Sequence, residues 1–153
     1  MDIELTYDML GGRLRKIGDA TISYDQLGNR PCALGSWALG YDRLGGRLRT
    51  VGGAQITYSR LGRILAVGEW SCEYSRLGQR LLRIGPYELR HDHRGSRVRA
   101  IGPLEIFYDR LGSRPNLVRL PGESPALSDD LLLALFLVLH RQRVAARQAS
   151  RRE

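Results

Sequence analysis

The chain has 153 residues and a formal net charge of +8, half of which falls on residues 140–153. An apolar fraction of 42% is ordinary for a globular protein and argues against disorder, and the length suits one domain. The longest apolar run, residues 131–139, is far shorter than the roughly 20 residues that cross a bilayer, so no membrane span is expected.

The N-terminal segment, residues 1–5, has neither the basic start nor the apolar stretch of a secretory signal. The default expectation is therefore a cytoplasmic protein. If the chain is a fragment of a larger secreted protein, that default fails.

Most of the chain is an internal repeat with a period of 17 residues and a single step of 16. Its marker is a tyrosine column in which one copy has histidine: Tyr7, Tyr24, Tyr41, Tyr58, Tyr74, His91 and Tyr108. Self-similarity at a fixed period indicates one supersecondary unit copied along the chain, each copy burying its apolar face against its neighbours.

Each unit is predicted to be a β-hairpin. In the first half apolar residues alternate with polar ones, as in Ala20, Ile22 and Tyr24, which is typical of a strand with one buried face. A turn with a fixed glycine follows, and a second strand begins with arginine and ends at another glycine turn. Seven units predict an all-β fold, an antiparallel meander of about fourteen strands curled into a barrel-like or spiral sheet.

Two details of the repeat bear on its geometry. The unit with Leu61-Gly62-Arg63 lacks one turn residue, which predicts a shorter turn and the loss of one β-bulge. A parallel solenoid with one coil per unit is the competing geometry. Asp25 and Arg30 would face each other across a hairpin but not in a parallel coil, which favours the meander.

Three segments are predicted: a repeat domain at 1–120, a linker at 121–127 and a helix with a basic tail at 128–153. Ser128 suits an N-cap, and residues 131–139 are apolar on every side, so this part of the helix requires burial all round. Fourteen strands tilted by ~40° leave very roughly 18 Å inside a closed ring. The sequence leaves three placements open: in the lumen, across an open sheet, or over the end strand.

Cys32 and Cys72 occupy different repeat positions, about five strands apart in a meander. That separation exceeds the reach of a disulfide, so the sequence predicts two free, packed thiols.

The recurring pattern Ile-x-Tyr-Asp-x-Leu-Gly-x-Arg-Leu, seen with proline at the last position in residues 22–31 and 106–115, resembles the YD repeats of bacterial Rhs-type proteins and teneurins. The resemblance covers residues 3 to about 118, although the units here are shorter and only seven. In those proteins consecutive hairpins form a strip that spirals into a shell. The resemblance therefore implies a scaffold whose repeats do not catalyse.

Two sets of arginines are candidate binding residues. One set shares a single turn position and should line one rim, where it would recruit a partner: Arg43, Arg60, Arg76, Arg94 and Arg110. The other set is the basic tail, a candidate polyanion site: Arg141, Arg143, Arg147, Arg151 and Arg152.

The other columns favour structural roles. The tyrosines, together with Trp37 and Trp70, are expected to pack in the core instead of stacking on a sugar or base, and the aspartates to pair with arginines across the turn. His91-Asp92-His93 is the one cluster that resembles a metal or acid/base site, but two of its residues merely occupy repeat positions. No enzyme and no cofactor are predicted.

The predicted function is a non-enzymatic β-repeat scaffold or protein-interaction module, with a protein partner or a second copy of itself. The alternative is a module that binds nucleic acid or another polyanion through the arginine rim and the basic tail.

Overall fold

The computed structural model describes residues 1–9, 12–25, 30–44, 46–77, 80–92, 97–110, 114–122 and 127–152, with side chains in the last segment as far as residue 148. Predicted features at other positions, including Arg94 and most of the linker, lie outside the described residues.

The protein is a closed antiparallel β-barrel in which each strand pairs with its sequence neighbours and the first strand pairs with the last. This confirms the predicted meander and rules out the parallel coil. The strands are β1 (Asp2–Tyr7), β2 (Leu14–Ile17), β3 (Ala20–Tyr24), β4 (Pro31–Leu34), β5 (Trp37–Tyr41), β6 (Leu48–Val51), β7 (Ala54–Tyr58), β8 (Ile64–Val67), β9 (Trp70–Tyr74), β10 (Leu81–Ile84), β11 (Tyr87–His91), β12 (Val98–Ile101), β13 (Leu104–Tyr108) and β14 (Pro115–Arg119).

The seam between β1 and β14 closes the sheet. Ile3 lies opposite Val118, and Arg119 binds both carboxylate oxygens of Asp2 at 2.7 and 3.1 Å. The N-terminal ammonium of Met1 donates to the Leu120 carbonyl at 2.7 Å, and the Leu120 amide donates back to Met1. Closure pairs both edges of every described strand, so none of these strands is free to pair with a second copy through its edge.

The barrel has two chemically different rims. The long-turn rim holds the turns that follow the tyrosines and join the strands of each hairpin. The tight-turn rim holds the turns between hairpins, whose glycines have φ near +58°, as at Gly35. Only glycine adopts such a backbone without strain, which explains the second fixed glycine of the repeat.

Each hairpin contains one β-bulge next to its repeat tyrosine or histidine, so that two residues of the second strand oppose one of the first. In the third unit the register shifts between Gly40 and Tyr41, which leaves Arg49 as the extra residue. The shift also occurs between Thr57 and Tyr58, in the hairpin with the short turn. The predicted loss of a bulge there is wrong, because the turn, and not the strand, is one residue shorter. In this shorter turn the Gly62 amide donates to the Ser59 carbonyl at 3.0 Å.

Helix α1 (Asp129–Arg152) occupies the lumen, one of the three placements that the sequence left open. Residues 134–139 are consecutive and all buried, with Ala134 and Leu135 at 0% exposure, so every face of the helix is covered. Further along, Arg141 lies over the Tyr74 ring on β9 and Arg143 reaches the Tyr24 hydroxyl on β3. Those strands lie on nearly opposite walls, so the barrel surrounds the helix.

The helix runs from the tight-turn rim to the long-turn rim. It begins where β14 ends, and Ser128 caps it as predicted, its hydroxyl accepting from the Leu131 amide at 3.2 Å. Its contacts with Tyr24 and Tyr74 lie at the other rim, where the strands lead into the long turns. Residues 144–148 beyond them are exposed. The helix therefore crosses the barrel and leaves it through the long-turn rim.

Both cysteines are free, as predicted. Cys72 faces the lumen, and burial raises the pKa of its thiol to about 11, which disfavours the nucleophilic thiolate. The prediction that Cys32 is packed is wrong, because it is the extra residue of a bulge and is exposed on the outer wall.

Candidate interaction rim

The tyrosine column ties neighbouring hairpins together near the long-turn rim. Each of the six tyrosines of the column donates its hydroxyl to a backbone carbonyl of the preceding hairpin, as Tyr24 does to Leu14 at 2.6 Å and Tyr58 does to Leu48 at 2.6 Å. Tyr7 makes the same bond to Pro115, across the seam. Burial raises the pKa of Tyr58 to about 12, so this phenol remains a proton donor at physiological pH.

In six of the seven hairpins the arginine that opens the second strand lies over the tyrosine ring of the next hairpin. The guanidinium of Arg13 lies 4.3 Å from the centroid of Tyr24, and Arg114 lies at the same distance from Tyr7 across the seam. Because the seam repeats the contacts found between the other hairpins, the barrel is a ring of nearly equivalent units. The tyrosines are half-buried and pack against the core, in agreement with the predicted role.

The repeat aspartates pair with arginines across the long turn, as predicted. Asp8 accepts from Arg13 at 2.7 Å, a bond that holds the pKa of this carboxyl below its usual value. The other pairs are Arg30 with Asp25, Arg47 with Asp42, Arg97 with Asp92, and Arg114 with Asp109.

The bulge residue adds a second contact to the aspartate. Arg15 lies 3.2 Å from Asp8, Arg49 lies 3.4 Å from Asp42, and Arg99 lies 3.4 Å from Asp92. Asn116 takes this role in the last hairpin, donating to Asp109 at 2.9 Å. The two units with serine in place of aspartate have leucine at the bulge, Leu65 and Leu82. In these units an aspartate before the long turn occurs with a hydrogen-bond donor at the bulge, and a serine before the turn occurs with leucine at the bulge.

One unit breaks this correspondence. In the hairpin that contains Asp25, the bulge residue is Cys32, whose thiol cannot donate a strong hydrogen bond. The buried Oδ1 atom of Asp25 has no hydrogen-bond partner among the described residues. Such an unpaired acceptor is unfavourable because it has lost water without gaining a donor.

We expect Cys32→Arg to stabilise the protein by about 1 kcal/mol, because an arginine at the bulge would supply the missing donor. Thermal and urea unfolding measure the change. In a double-mutant cycle the gain should disappear when Asp25 is also replaced by serine. An equal gain in the Asp25→Ser background would show that the bulge arginine acts without the carboxylate.

The structure describes two of the three residues of the His91 cluster. Asp92 is bound to Arg97 and Arg99, and His93 lies outside the described residues. Burial, followed by the charges of Arg80 and Arg141, lowers the pKa of His91. In the part of the chain that the structure describes, no three His, Cys, Asp or Glu residues are grouped so that they could hold a metal ion.

The long turns carry the exposed residues of the candidate site. Arg43, Arg60, Arg76 and Arg110 are all exposed, and none of them forms an ion pair with another described residue. Beside them stand large apolar side chains that the sequence analysis did not single out: Met9 is 101% exposed, Leu44 102%, Leu61 81% and Leu77 81%. We call these eight residues the long-turn tips.

The five arginines of the basic tail do not behave as one group. Arg141 and Arg143 are partly buried at the mouth of the lumen, against Tyr74 and Tyr24. Arg147 is exposed on the projecting helix, whereas the side chains of Arg151 and Arg152 lie outside the described residues. Part of the predicted tail therefore belongs to the fold.

His140 stands at the same mouth, stacked on Phe136 with ring centroids 5.9 Å apart. Burial, followed by the charges of Arg143 and Arg147, lowers its pKa from 6.5 to about 4. Between pH 4 and 6.5 the imidazole is therefore mostly neutral in the folded chain and mostly protonated in the unfolded chain.

We expect the free energy of unfolding to fall between pH 6.5 and 4, because protons then bind the unfolded chain preferentially. The contribution of His140 is complete above pH 6.5, is lost as the pH falls towards 4, and amounts to at most about 3 kcal/mol. Urea titrations across this range should show a flatter profile for His140→Gln than for the parent. His91→Tyr measures the share of the second histidine, and an unchanged slope in His140→Gln would contradict the assignment.

A comparison of the chain with protein-family models, curated proteins and solved structures finds no match. None of the helical residues that the structure describes forms a segment long and apolar enough to cross a membrane.

Proposed function

We propose that this protein is a non-enzymatic β-repeat scaffold whose long-turn rim recruits a partner. One observation carries the proposal: the tyrosines, aspartates and strand-opening arginines of the repeat are bound to one another, whereas the long-turn tips are exposed. Large apolar side chains that are fully exposed on adjoining turns contribute nothing to the core. Their recurrence in successive units is explained by a surface that contacts something else.

The resemblance to YD repeats supports the same function. The motif at residues 22–31 and 106–115 joins strands that pair antiparallel, β3 with β4 and β13 with β14. The strip differs from an enclosing shell because its lumen already contains the chain's own helix. We therefore propose that the barrel presents its rim and does not enclose another protein.

A photo-crosslinking amino acid tests the proposal in the producing cell. Placed at Leu61 on the rim it should form crosslinks to a partner, whether protein or lipid, whereas at Gln55, exposed on the outer wall of the same hairpin, it should not. Equal capture at the two positions, or no capture at either, would contradict a recruiting rim.

Binding of nucleic acid or another polyanion is the second candidate function. It is favoured by the charges of Arg43, Arg60, Arg76 and Arg110, for which no ion pair exists within the described part of the chain. Its signature is binding that weakens steeply as salt rises. The deletion that tests the tail should remove residues 144–153, because Arg143 and Gln142 contact the barrel. Unchanged polyanion retention after this deletion and after Arg43→Gln would exclude both basic elements.

A further inference from the structure

The chemistry of the long-turn tips identifies the kind of partner. We propose that the long-turn rim docks on an anionic lipid surface, with the leucine side chains entering the interface and the arginines contacting acidic headgroups. The inference rests on the proposed function, since it names the partner that the rim recruits.

Closure places the described tips around one rim. The contact between Arg114 and Tyr7 at the seam repeats that between Arg13 and Tyr24, so the units are arranged around the barrel axis. Leu44, Leu61 and Leu77 follow the tyrosines of three successive units and therefore face the same end of the barrel, around the helix that leaves it there. These three leucines are available to one surface.

The spacing of the tips favours lipid over protein. Neighbouring long turns are two strands apart, which places their tips about 12 Å from each other. A protein interface requires a contiguous apolar centre, and leucines separated by this distance and flanked by arginines do not provide one. A lipid interface is continuous, so each tip can enter it independently of the others.

The charge of the rim has the sign that an acidic membrane surface attracts. The turn aspartates are bound to arginines behind the tips, as Asp42 is to Arg47 and Arg49, so their charge is compensated. The arginines at the described tips form no ion pair with another described residue and keep theirs. Clustered arginines beside exposed leucines match the pairing of electrostatic attraction and apolar insertion that holds proteins at anionic membranes.

Nucleic acid is the less favoured occupant. The phosphate backbone is bound by cationic groups, and the exposed leucines would serve no purpose in contact with it. Polyanion retention that depends on Arg43 but not on Leu44 is the outcome that would support nucleic acid.

Co-sedimentation with phosphatidylcholine vesicles containing about 30% phosphatidylserine tests the proposal, with pure phosphatidylcholine vesicles alongside. The full chain should bind the acidic vesicles, and the Leu44→Ser, Leu61→Ser pair should bind about 10-fold more weakly. The matched control is Leu65→Ser with Leu82→Ser, which removes two leucines that are 45% and 41% exposed on the outer wall. An equal loss in both pairs, or none in the rim pair, overturns the proposal.

A second pair of variants separates insertion from charge. Arg43→Gln with Arg60→Gln should weaken binding to acidic vesicles, whereas Lys16→Gln with Arg90→Gln, the same change of charge on the outer wall, should change it much less. The rim variants are also compared in light scattering and on a polyanion column. If they alter only those two readouts, the lipid assignment fails and the recruiting rim stands; if they alter none of the three, both fail.

Discussion

A chain that ends at residue 127, and so lacks α1, should fail to form the closed barrel. The helix contributes Ala134, Leu135, Leu137 and Val138 to the core, all between 0% and 2% exposed, and the lumen-facing side chains of the strands pack around them. Without the helix the ring would surround a space lined by aliphatic side chains, and the loss of packing far exceeds the several kcal/mol of stability typical of a domain this size.

Circular dichroism and thermal unfolding measure this effect. A chain that ends at residue 143 is the matched control, because it keeps the buried helix and the contacts of Gln142 and Arg143 while losing the projecting end. The control should unfold cooperatively close to the parent temperature. A chain ending at 127 that unfolds with the same cooperativity would show that the strands alone specify the barrel.

The repeat allowed the meander and the helix to be predicted, but not the closure. Alternation at Ala20, Ile22 and Tyr24 identifies a strand with one buried face, and this reasoning needs only the neighbouring hairpin. Closure depends on whether the seventh unit meets the first in register, a property of the accumulated twist and tilt of the whole sheet. The seam contacts of Tyr7 with Arg114 follow from the repeat once closure is known.

The apolar run at residues 131–139 predicted that the helix would be buried on all sides, and the lumen is the one placement that achieves this. From the sequence alone three placements are open, because the size of the lumen depends on closure and on side chains such as Trp37 and Trp70. Volume complementarity between one helix and fourteen strands is not visible in any single segment.

The rim was predicted only in part. The shared turn position predicts its arginines, whereas the exposure of Leu44, Leu61 and Leu77 is an observation of the structure. A signal was present: a large apolar side chain inside a turn lies outside the alternation that would bury it. The relation between the residue before the long turn and the bulge residue, such as Ser59 with Leu65, was not predicted. It becomes visible only when the extra residue of each hairpin is known from the strand register.

Gly85→Ala should be among the most destabilising single substitutions outside the helix, and Gly35→Ala should cost far less. Both glycines occupy the same place in a tight turn, with φ of +57° and +58°, so the backbone strain of an alanine is about 1–2 kcal/mol at each. The difference lies in the residue above the turn. A Cβ at Gly85 would stand 2.5 Å from the Trp70 ring, whereas at Gly35 it would stand 3.9 Å from the Cβ of Ala20.

Trp70 cannot easily move away, because it packs against the core and meets Tyr87 edge to face at a centroid distance of 6.0 Å. We therefore expect about 3–5 kcal/mol of destabilisation for Gly85→Ala, since the indole must leave its position and part of its burial is lost. Urea unfolding of both variants measures the difference. Trp70→Ala gives Gly85 the same neighbour as Gly35, so adding Gly85→Ala in that background should cost only the backbone strain. A cost that remains the same in both backgrounds would show that the indole is not the cause.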